Sequence, residues 1–294
     1  SRRCCSVSDD ATWGWGLGFH TSTPPLHREG DRLSPSYKKP LGVILYNVQS
    51  SVISVAPPRV AGHTMNRAGD GRWNASRRRA DSPNRPNVLS IMADDLGMGD
   101  LTSHDHPYLR TPNIDRIRHE GTEVTKGLQL AHAVCSPSRA GALTGRFPGR
   151  YCVNLHFGDT EHNAQYDLPG WLDAKAPTLP RVLKEHAGYA TAHFGKWHLS
   201  TDPDHGVPDA PSTLDYGYDE AGGWTGRIPT LHFRAIYDAT VNFVARNRGR
   251  PWYVYLGLHQ AHLAHLPSRE TMTRFAHLND NRDKVYAAVV ADAD

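Results

Sequence analysis

From Pro86 onward, the hydrophobic and polar positions of the chain alternate between two patterns. Residues 88–93 form a nearly continuous apolar run, which predicts a strand buried on both faces, and residues 252–258 repeat this pattern. Between these runs, apolar residues recur with helical spacing. Because strands that alternate with helices form mostly parallel sheets with crossover helices, the pattern predicts an α/β fold.

Local start and stop signals delimit the predicted helices. The first helix begins after Thr111, which can act as an N-cap, and ends at Gly121. The second begins after Thr178 and ends at Gly188, before a short predicted strand over residues 189–194. A third amphipathic helix has its inward-facing positions at Ile236, Thr240, Phe243 and Val244.

The first 83 residues lack sustained periodicity and mix Ser, Pro, Gly, Arg and Trp. We therefore predict a disordered or non-native extension over residues 1–83 and a folded domain over residues 84–294. The first residue is Ser, and Met65 suggests the hypothesis that translation starts there. The longest apolar run, residues 41–56, is interrupted by polar residues and is shorter than the roughly 20 residues that a membrane-spanning helix needs. We expect no transmembrane helix and, by default, a cytoplasmic protein.

The charge and the cysteine content narrow the function classes. The chain has 33 basic and 30 acidic residues, which leaves no dominant field to attract nucleic acid or a membrane surface. The four cysteines are too few for a disulfide framework and too irregularly spaced for a four-ligand zinc site. The 18 histidines offer many groups for acid–base work near neutral pH. Chemistry on small molecules is therefore the favoured class.

Cys135 is predicted to lie at the N-terminus of a helix. Ser136 is the expected N-cap, Pro137 the expected first helical residue, and Arg139 falls in the first turn. The helix dipole and the guanidinium of Arg139 favour negative charge there, either a thiolate or a bound oxyanion. The alternative is a buried, inert cysteine before an ordinary helix.

Further chemical groups are predicted at the ends of other strands. Asp94 and Asp95 follow the first buried strand, where two carboxylates can bind a hard cation or form a solvated turn. Lys196 and His198 are two residues apart, so in an extended segment both point to one face.

Three histidines recur every third residue after the last predicted strand, at His259, His262 and His265. This spacing raises a zinc site as a weaker hypothesis, because no carboxylate or cysteine ligand lies at a telling distance in the sequence.

Four segments resemble one known family. Residues 135–139, Cys-Ser-Pro-Ser-Arg, followed by Leu-Thr-Gly-Arg at 143–146, resemble the sulfatase signature. Residues 93–100 resemble the metal-binding acid pair that opens sulfatases, and Gly-Lys-Trp-His at 195–198 resembles another sulfatase segment. The strand that leads to His262 is similar to a sulfatase strand ending in a Pro-His pair, with Ala in place of the proline.

The resemblance implies a sulfuric ester hydrolase with a three-layer α/β/α sandwich, similar to the alkaline-phosphatase superfamily. It implies that a maturation enzyme, which reads Cys135, Pro137 and Arg139, converts Cys135 to formylglycine, whose hydrated aldehyde supplies the attacking hydroxyl. Asp94 and Asp95, together with the modified Cys135, would bind a divalent metal, either calcium or sometimes magnesium.

The family's catalytic roles carry over to four further positions. Arg139 and Lys196 would neutralise the sulfate, His198 would act as a base on the hydrate, and His262 would protonate the departing alcohol. The substrate would be a small-molecule or carbohydrate sulfate ester, with no nucleic-acid or membrane partner.

The resemblance runs from about residue 86 to residue 294, the first part of a sulfatase catalytic domain. We expect truncation at the carboxyl end, because the remaining metal ligands and a further lysine should follow a helix like residues 283–294. Asp280 and Asn281 precede that helix and are interpreted as a polar turn. Two alternatives stay open: a phosphate or phosphonate ester hydrolase of the same superfamily, and an inactive fragment that lacks the later metal ligands.

Overall fold

The computed structural model describes residues 41–47, 52–55, 85–124, 133–200, 210–224 and 233–294. Seven strands form one sheet: β1 (Leu41–Asn47), β2 (Val52–Val55), β3 (Asn87–Asp94), β4 (Thr122–Val124), β5 (Ala190–Lys196), β6 (Glu220–Trp224) and β7 (Trp252–Ala261). Across the sheet they follow the order β4-β2-β1-β3-β7-β5-β6.

Parallel pairing forms the centre of this sheet. β3 pairs with β7, β7 with β5, and β5 with β6, all parallel, and β1 is the other parallel neighbour of β3. The β1–β2 and β2–β4 pairs are antiparallel. The carboxyl ends of β3, β7 and β5 therefore meet at one edge, which is where ligands bind in open α/β sheets.

Helices pack on both faces of the sheet. They are α1 (Pro112–Glu120), α2 (Cys135–Thr144), α3 (Thr160–Gln165), α4 (Leu179–Ala187), α5 (Phe233–Arg246), α6 (Arg269–Arg274) and α7 (Asn281–Ala293). Alternating residues of β7 separate the two cores: Tyr253 and Tyr255 pack with residues of α2 and α4, whereas Val254 and Leu256 pack with α5. Phe243 of α5 is almost fully buried, and such burial contributes about 1.5–3 kcal/mol. The predicted mixed α/β fold with a mostly parallel sheet is confirmed.

Several predicted element boundaries agree with the structure. α1 follows Thr111 and α4 follows Thr178, although neither side chain caps its helix. Instead, the Asp294 carboxylate accepts the backbone N–H groups of Asn113 and Ile114 at the start of α1. Gly188 ends α4 in the left-handed conformation.

The polar pair before α7 is a helix start. The Asp280 carboxylate accepts the backbone N–H groups of Arg282 and Asp283, as an N-cap does. Asp280 precedes the helix as its N-cap, but Asn281 is the first residue of α7, so the interpretation of the pair as a polar turn before the helix is wrong for Asn281.

Two strands lie inside the segment that the sequence predicted to lack regular structure. β1 and β2 extend the sheet beyond β3, and the apolar run over residues 41–56 contains both. The domain boundary near residue 84 stays a prediction, and Met65 lies outside the described residues. In the part of the chain that the structure describes, no helix is long and apolar enough to cross a membrane. The cytoplasmic location stays a prediction.

Candidate active site

Three strands and one helix bring the predicted chemical groups together. Asp94 is the last residue of β3, Lys196 is the last residue of β5, and Cys135 is the first residue of α2. His262 directly follows β7. Because β3, β7 and β5 are adjacent and parallel, side chains that are distant in sequence converge at the carboxyl edge of the sheet.

Asp94 contacts most of the polar groups of this site. Its carboxylate forms an ion pair with the Lys196 ammonium and accepts a hydrogen bond from Cys135 Sγ at 3.2 Å. The Arg139 guanidinium lies 3.6 Å from the same carboxylate, and Lys196 Nζ lies 3.6 Å from Cys135 Sγ. All four side chains are buried.

The charges of this cluster do not balance. Burial opposes ionisation of Asp94, but Arg139 and Lys196 outweigh it and hold the pKa of Asp94 well below its ordinary value. One carboxylate therefore faces two buried cations. Among the described residues, Nε and one terminal nitrogen of Arg139 have no hydrogen-bond partner. Unused donors and excess positive charge make this a site for an anion.

The thiol of Cys135 is protonated in this setting. Burial, followed by the neighbouring Asp94 carboxylate, raises the pKa of Cys135 to about 11, although Lys196 and Arg139 act in the opposite direction. Of the two anions that the sequence left open at this helix start, the thiolate is therefore not favoured for the unmodified residue, because burial and Asp94 outweigh the nearby cations. The anion that the cations favour is a bound one.

The start of α2 also differs from the prediction. The helix begins at Cys135 with Val134 as its N-cap residue, so Ser136 and Pro137 lie within the first turn. Ser136 does not cap the helix, because its hydroxyl accepts the backbone N–H of Phe157 at 2.9 Å. A tertiary contact has replaced the local one.

Lys196 depends on a close approach of β5 and β7. Gly195 has a φ of 93°, and a Cβ atom added there would lie 2.0 Å from the carbonyl oxygen of Gly257. A side chain at position 195 would therefore separate the two strands that carry the site.

His198 lies beyond the end of β5 rather than in an extended segment. Its φ of 51° is in the left-handed region, so it does not share a strand face with Lys196 as predicted. Its Nε2 lies 2.9 Å from the carbonyl oxygen of Phe157. Burial, followed by the charge of Lys196, lowers the pKa of His198 to about 3, so the ring is neutral.

His262 and Asp95 form the more open side of the site. His262 Nε2 lies 3.6 Å from the Asp95 carboxylate, and both residues are partly exposed. His262 also joins Asp94 and Cys135 in a group whose ligand atoms lie within 4.8 Å of one another. This is the only such group among the described residues, and it does not include Asp95. The group could hold a metal ion.

The three evenly spaced histidines do not form a zinc site. His265 Nε2 lies 2.8 Å from the carbonyl oxygen of Ala261, and only His262 belongs to the group described above. His259 is buried in β7, with its ring 5.3 Å from that of His262. Burial, followed by the charges of Lys196 and His262, lowers the pKa of His259 to about 4. The sequence considered His259 only as a zinc ligand, although its place near the end of a buried strand could have indicated that it lies beside the site.

Comparisons with known proteins agree on one family. The family model described as Sulfatase matches residues 86–294. The chain is 40% identical over 153 residues to steryl-sulfatase of Mus musculus, and this match covers 52% of this chain and 23% of that protein. It is 37% identical over 175 residues to N-acetylgalactosamine-6-sulfatase of Canis lupus familiaris, covering 58% of this chain and 29% of that protein. The chain thus spans less than a third of either relative.

A solved structure shares the fold. The crystal structure of Ps i-CgsB in complex with k-i-k-neocarrahexaose has a TM-score of 0.57 and 24% identity. The similarity covers 70% of this chain and 52% of that one.

Proposed function

The chain belongs to the sulfatase family. We propose that it carries the part of a sulfuric ester hydrolase active site that contains the nucleophile. The observation that carries the proposal is the arrangement around Cys135. Two buried cations, Arg139 and Lys196, share a single carboxylate and lie beside the first residue of a helix. This arrangement supports binding of a tetrahedral anion next to position 135.

Conversion of Cys135 to formylglycine would supply, as a hydrate, the hydroxyl that attacks sulfur. The buried, protonated thiol supports the need for such a conversion, since it is a poor nucleophile as it stands. The maturation enzyme would read Cys135, Pro137 and Arg139, as the resemblance implies.

A divalent metal, calcium or sometimes magnesium, would polarise the sulfate oxygens when it is bound. The Asp94 carboxylate and an oxygen at position 135 are suitable ligands for a hard cation, and the resemblance adds the neighbouring Asp95, which lies outside the group formed by Asp94, Cys135 and His262. The fit is partial, because calcium prefers about six to eight oxygens and Lys196 already pairs with Asp94. Further ligands would have to come from outside this group.

The remaining roles fall to side chains around the anion. Arg139 and Lys196 would hold the sulfuryl oxygens and stabilise their charge as the ester bond breaks. His262, which is partly exposed, would protonate the departing alcohol. His198, neutral and buried, would take a proton from the hydroxyl at position 135.

The substrate would be a sulfate monoester of a small molecule or a carbohydrate. The matched relatives are a steryl-sulfatase and an N-acetylgalactosamine-6-sulfatase, and the solved structure is a complex with k-i-k-neocarrahexaose. These names support sulfated substrates as a class and leave the alcohol part open.

The test combines mass spectrometry with paired assays. The 294-residue chain is produced beside a formylglycine-generating enzyme, and the peptide that contains position 135 is weighed. Turnover is then measured on an aryl sulfate and an aryl phosphonate, with Cys135→Ala as the inactive variant and Lys184→Met as the control. We expect formylglycine at position 135 and faster turnover of the sulfate, which Cys135→Ala abolishes.

Three other outcomes are informative. An unmodified thiol without turnover would overturn the proposal. Faster turnover of the phosphonate would support the phosphonate hydrolase alternative. Formylglycine without turnover of either ester would support the inactive fragment.

A further inference from the structure

A short backbone segment lies between the nucleophile helix and His198. Phe157 is buried, and its carbonyl oxygen lies 2.9 Å from His198 Nε2. Its backbone N–H donates to the Ser136 hydroxyl at 2.9 Å. Phe157 thus connects the residue next to Cys135 with the proposed base.

The next residue, Gly158, is held by a second side chain. Its N–H donates to Asn163 Oδ1 at 2.9 Å, and its carbonyl oxygen accepts from Asn163 Nδ2 at 3.1 Å. Ser136 and Asn163 are both buried. Three of the four backbone polar groups of Phe157 and Gly158 are therefore held by side chains, and the fourth, the Phe157 carbonyl, faces His198. We call this arrangement the 157–158 clamp.

The clamp determines which nitrogen of His198 carries the proton. A carbonyl oxygen can only accept a hydrogen bond, so the nitrogen that faces Phe157 must be Nε2–H. In a neutral ring, Nδ1 is then an acceptor with a free lone pair. Among the described residues, Nδ1 of His198 has no hydrogen-bond partner although it is buried. An unpartnered buried acceptor is costly unless a ligand or a reacting group uses it.

We propose that Ser136 and Asn163 are positioning residues that hold His198 as its Nε2–H tautomer, with Nδ1 as the basic atom, through the 157–158 clamp. The catalytic consequence rests on the proposed function, whereas the effect on the tautomer does not. Ser136 occupies the variable second position of the five-residue motif, so this role is separate from that of the motif residues Cys135, Pro137 and Arg139.

A purely structural role for these two side chains makes a different prediction. Loss of a buried hydrogen bond would then lower stability and leave the tautomer of His198 unchanged. Positioning partners of histidine instead set its tautomer and ring orientation. The tautomer therefore separates the two roles.

The experiment measures the tautomer directly. The full chain is labelled with ¹⁵N in its histidines, and two-bond ¹H–¹⁵N NMR spectra distinguish Nε2–H from Nδ1–H rings. The His198→Gln variant assigns the His198 signals. The test variants are Ser136→Ala and Asn163→Ala, and Ser136→Thr, which keeps the hydroxyl, is the rescue. Ser90→Ala is the matched control, because its buried hydroxyl has no hydrogen-bond partner among the described residues.

We expect a single Nε2–H tautomer of His198 in the unaltered chain, Ser90→Ala and Ser136→Thr, and a mixture of tautomers in the two test variants. On a sulfate ester, with rates corrected for formylglycine content, kcat should fall by about 10- to 100-fold in the test variants. KM should stay within about twofold, because the lost interaction acts on the chemical step.

An unchanged tautomer in both folded alanine variants would overturn the proposal, as would an Nδ1–H ring in the unaltered chain. Loss of the folded state in both alanine variants would also count against it, because the clamp would then support the fold rather than one ring. If no variant turns over a sulfate ester but the tautomer changes as expected, the positioning role stands and the proposed function fails.

Discussion

Replacing Lys196 by Met tests the buried ion pair at the centre of the site. The Lys196 ammonium and the Asp94 carboxylate are fully buried and form an ion pair. Removing one partner of a buried pair typically costs about 3–5 kcal/mol, because the group that remains loses its nearest opposite charge. Arg139 still lies 3.6 Å from the carboxylate, so the lower end of that range, about 3 kcal/mol, is expected.

The same substitution at Lys184 provides the control. Lys184 Nζ lies 2.7 Å from the Asp219 carboxylate, but both side chains are substantially exposed. Solvent screening reduces the value of such a pair to about 0–1 kcal/mol. Both variants replace a lysine of an ion pair by methionine, and they differ in whether that ion pair is buried.

Chemical denaturation at neutral pH, in the presence of a metal chelator, measures both free energies of unfolding. The chelator prevents a bound cation from taking the place of the ammonium. The reasoning would be refuted if Lys196→Met destabilised the chain by no more than Lys184→Met. A loss of stability as small as that of Lys184→Met would mean that water or Arg139 fully compensates the charge of Asp94.

Three further predictions concern single residues. Unmodified Cys135 should resist iodoacetamide in the folded chain and react on unfolding, because its thiol is buried and has a pKa of about 11. Labelling is measured by mass spectrometry, and fast labelling of the folded chain would contradict this prediction. Gly195→Ala should unfold at a markedly lower denaturant concentration than Gly249→Ala. At position 195 an added Cβ would collide with the carbonyl of Gly257, whereas at position 249 it meets nothing within 4 Å. Equal unfolding midpoints for the two variants would contradict this prediction. Arg139→Lys should lower kcat/KM by about 10²-fold or more at equal formylglycine content, since a lysine cannot reproduce the planar set of donors; unchanged kcat/KM would contradict it.

Local signals predicted much of the fold. The apolar run of β3 ends at Asp94, and the helix over residues 179–187 lies between a Thr and a Gly, so both elements are evident from short windows. The convergence of Asp94, Lys196 and His262 followed from the parallel arrangement of the strands that carry or precede them.

The failures concern contacts between distant parts of the chain. Ser136 has the identity of an N-cap, but its partner is Phe157, 21 residues further on. The strands β1 and β2 depend on pairing with β3 and with each other, which no local window reports. The pKa of Cys135 depends on the balance between burial and three charges, and only the assembled site sets that balance. The sequence therefore predicts which side chains lie together better than it predicts their protonation states.

The burial of the five-residue motif sets an order of events. Every side chain from Cys135 to Arg139 is buried once α2 has packed, so no second enzyme can reach them in the folded domain. If Cys135 is converted to formylglycine as proposed, the conversion must precede the packing of α2. Maturation and folding then compete in time, and the fraction of active molecules depends on which is faster. A variant that folds more slowly, without being less stable, would gain formylglycine content.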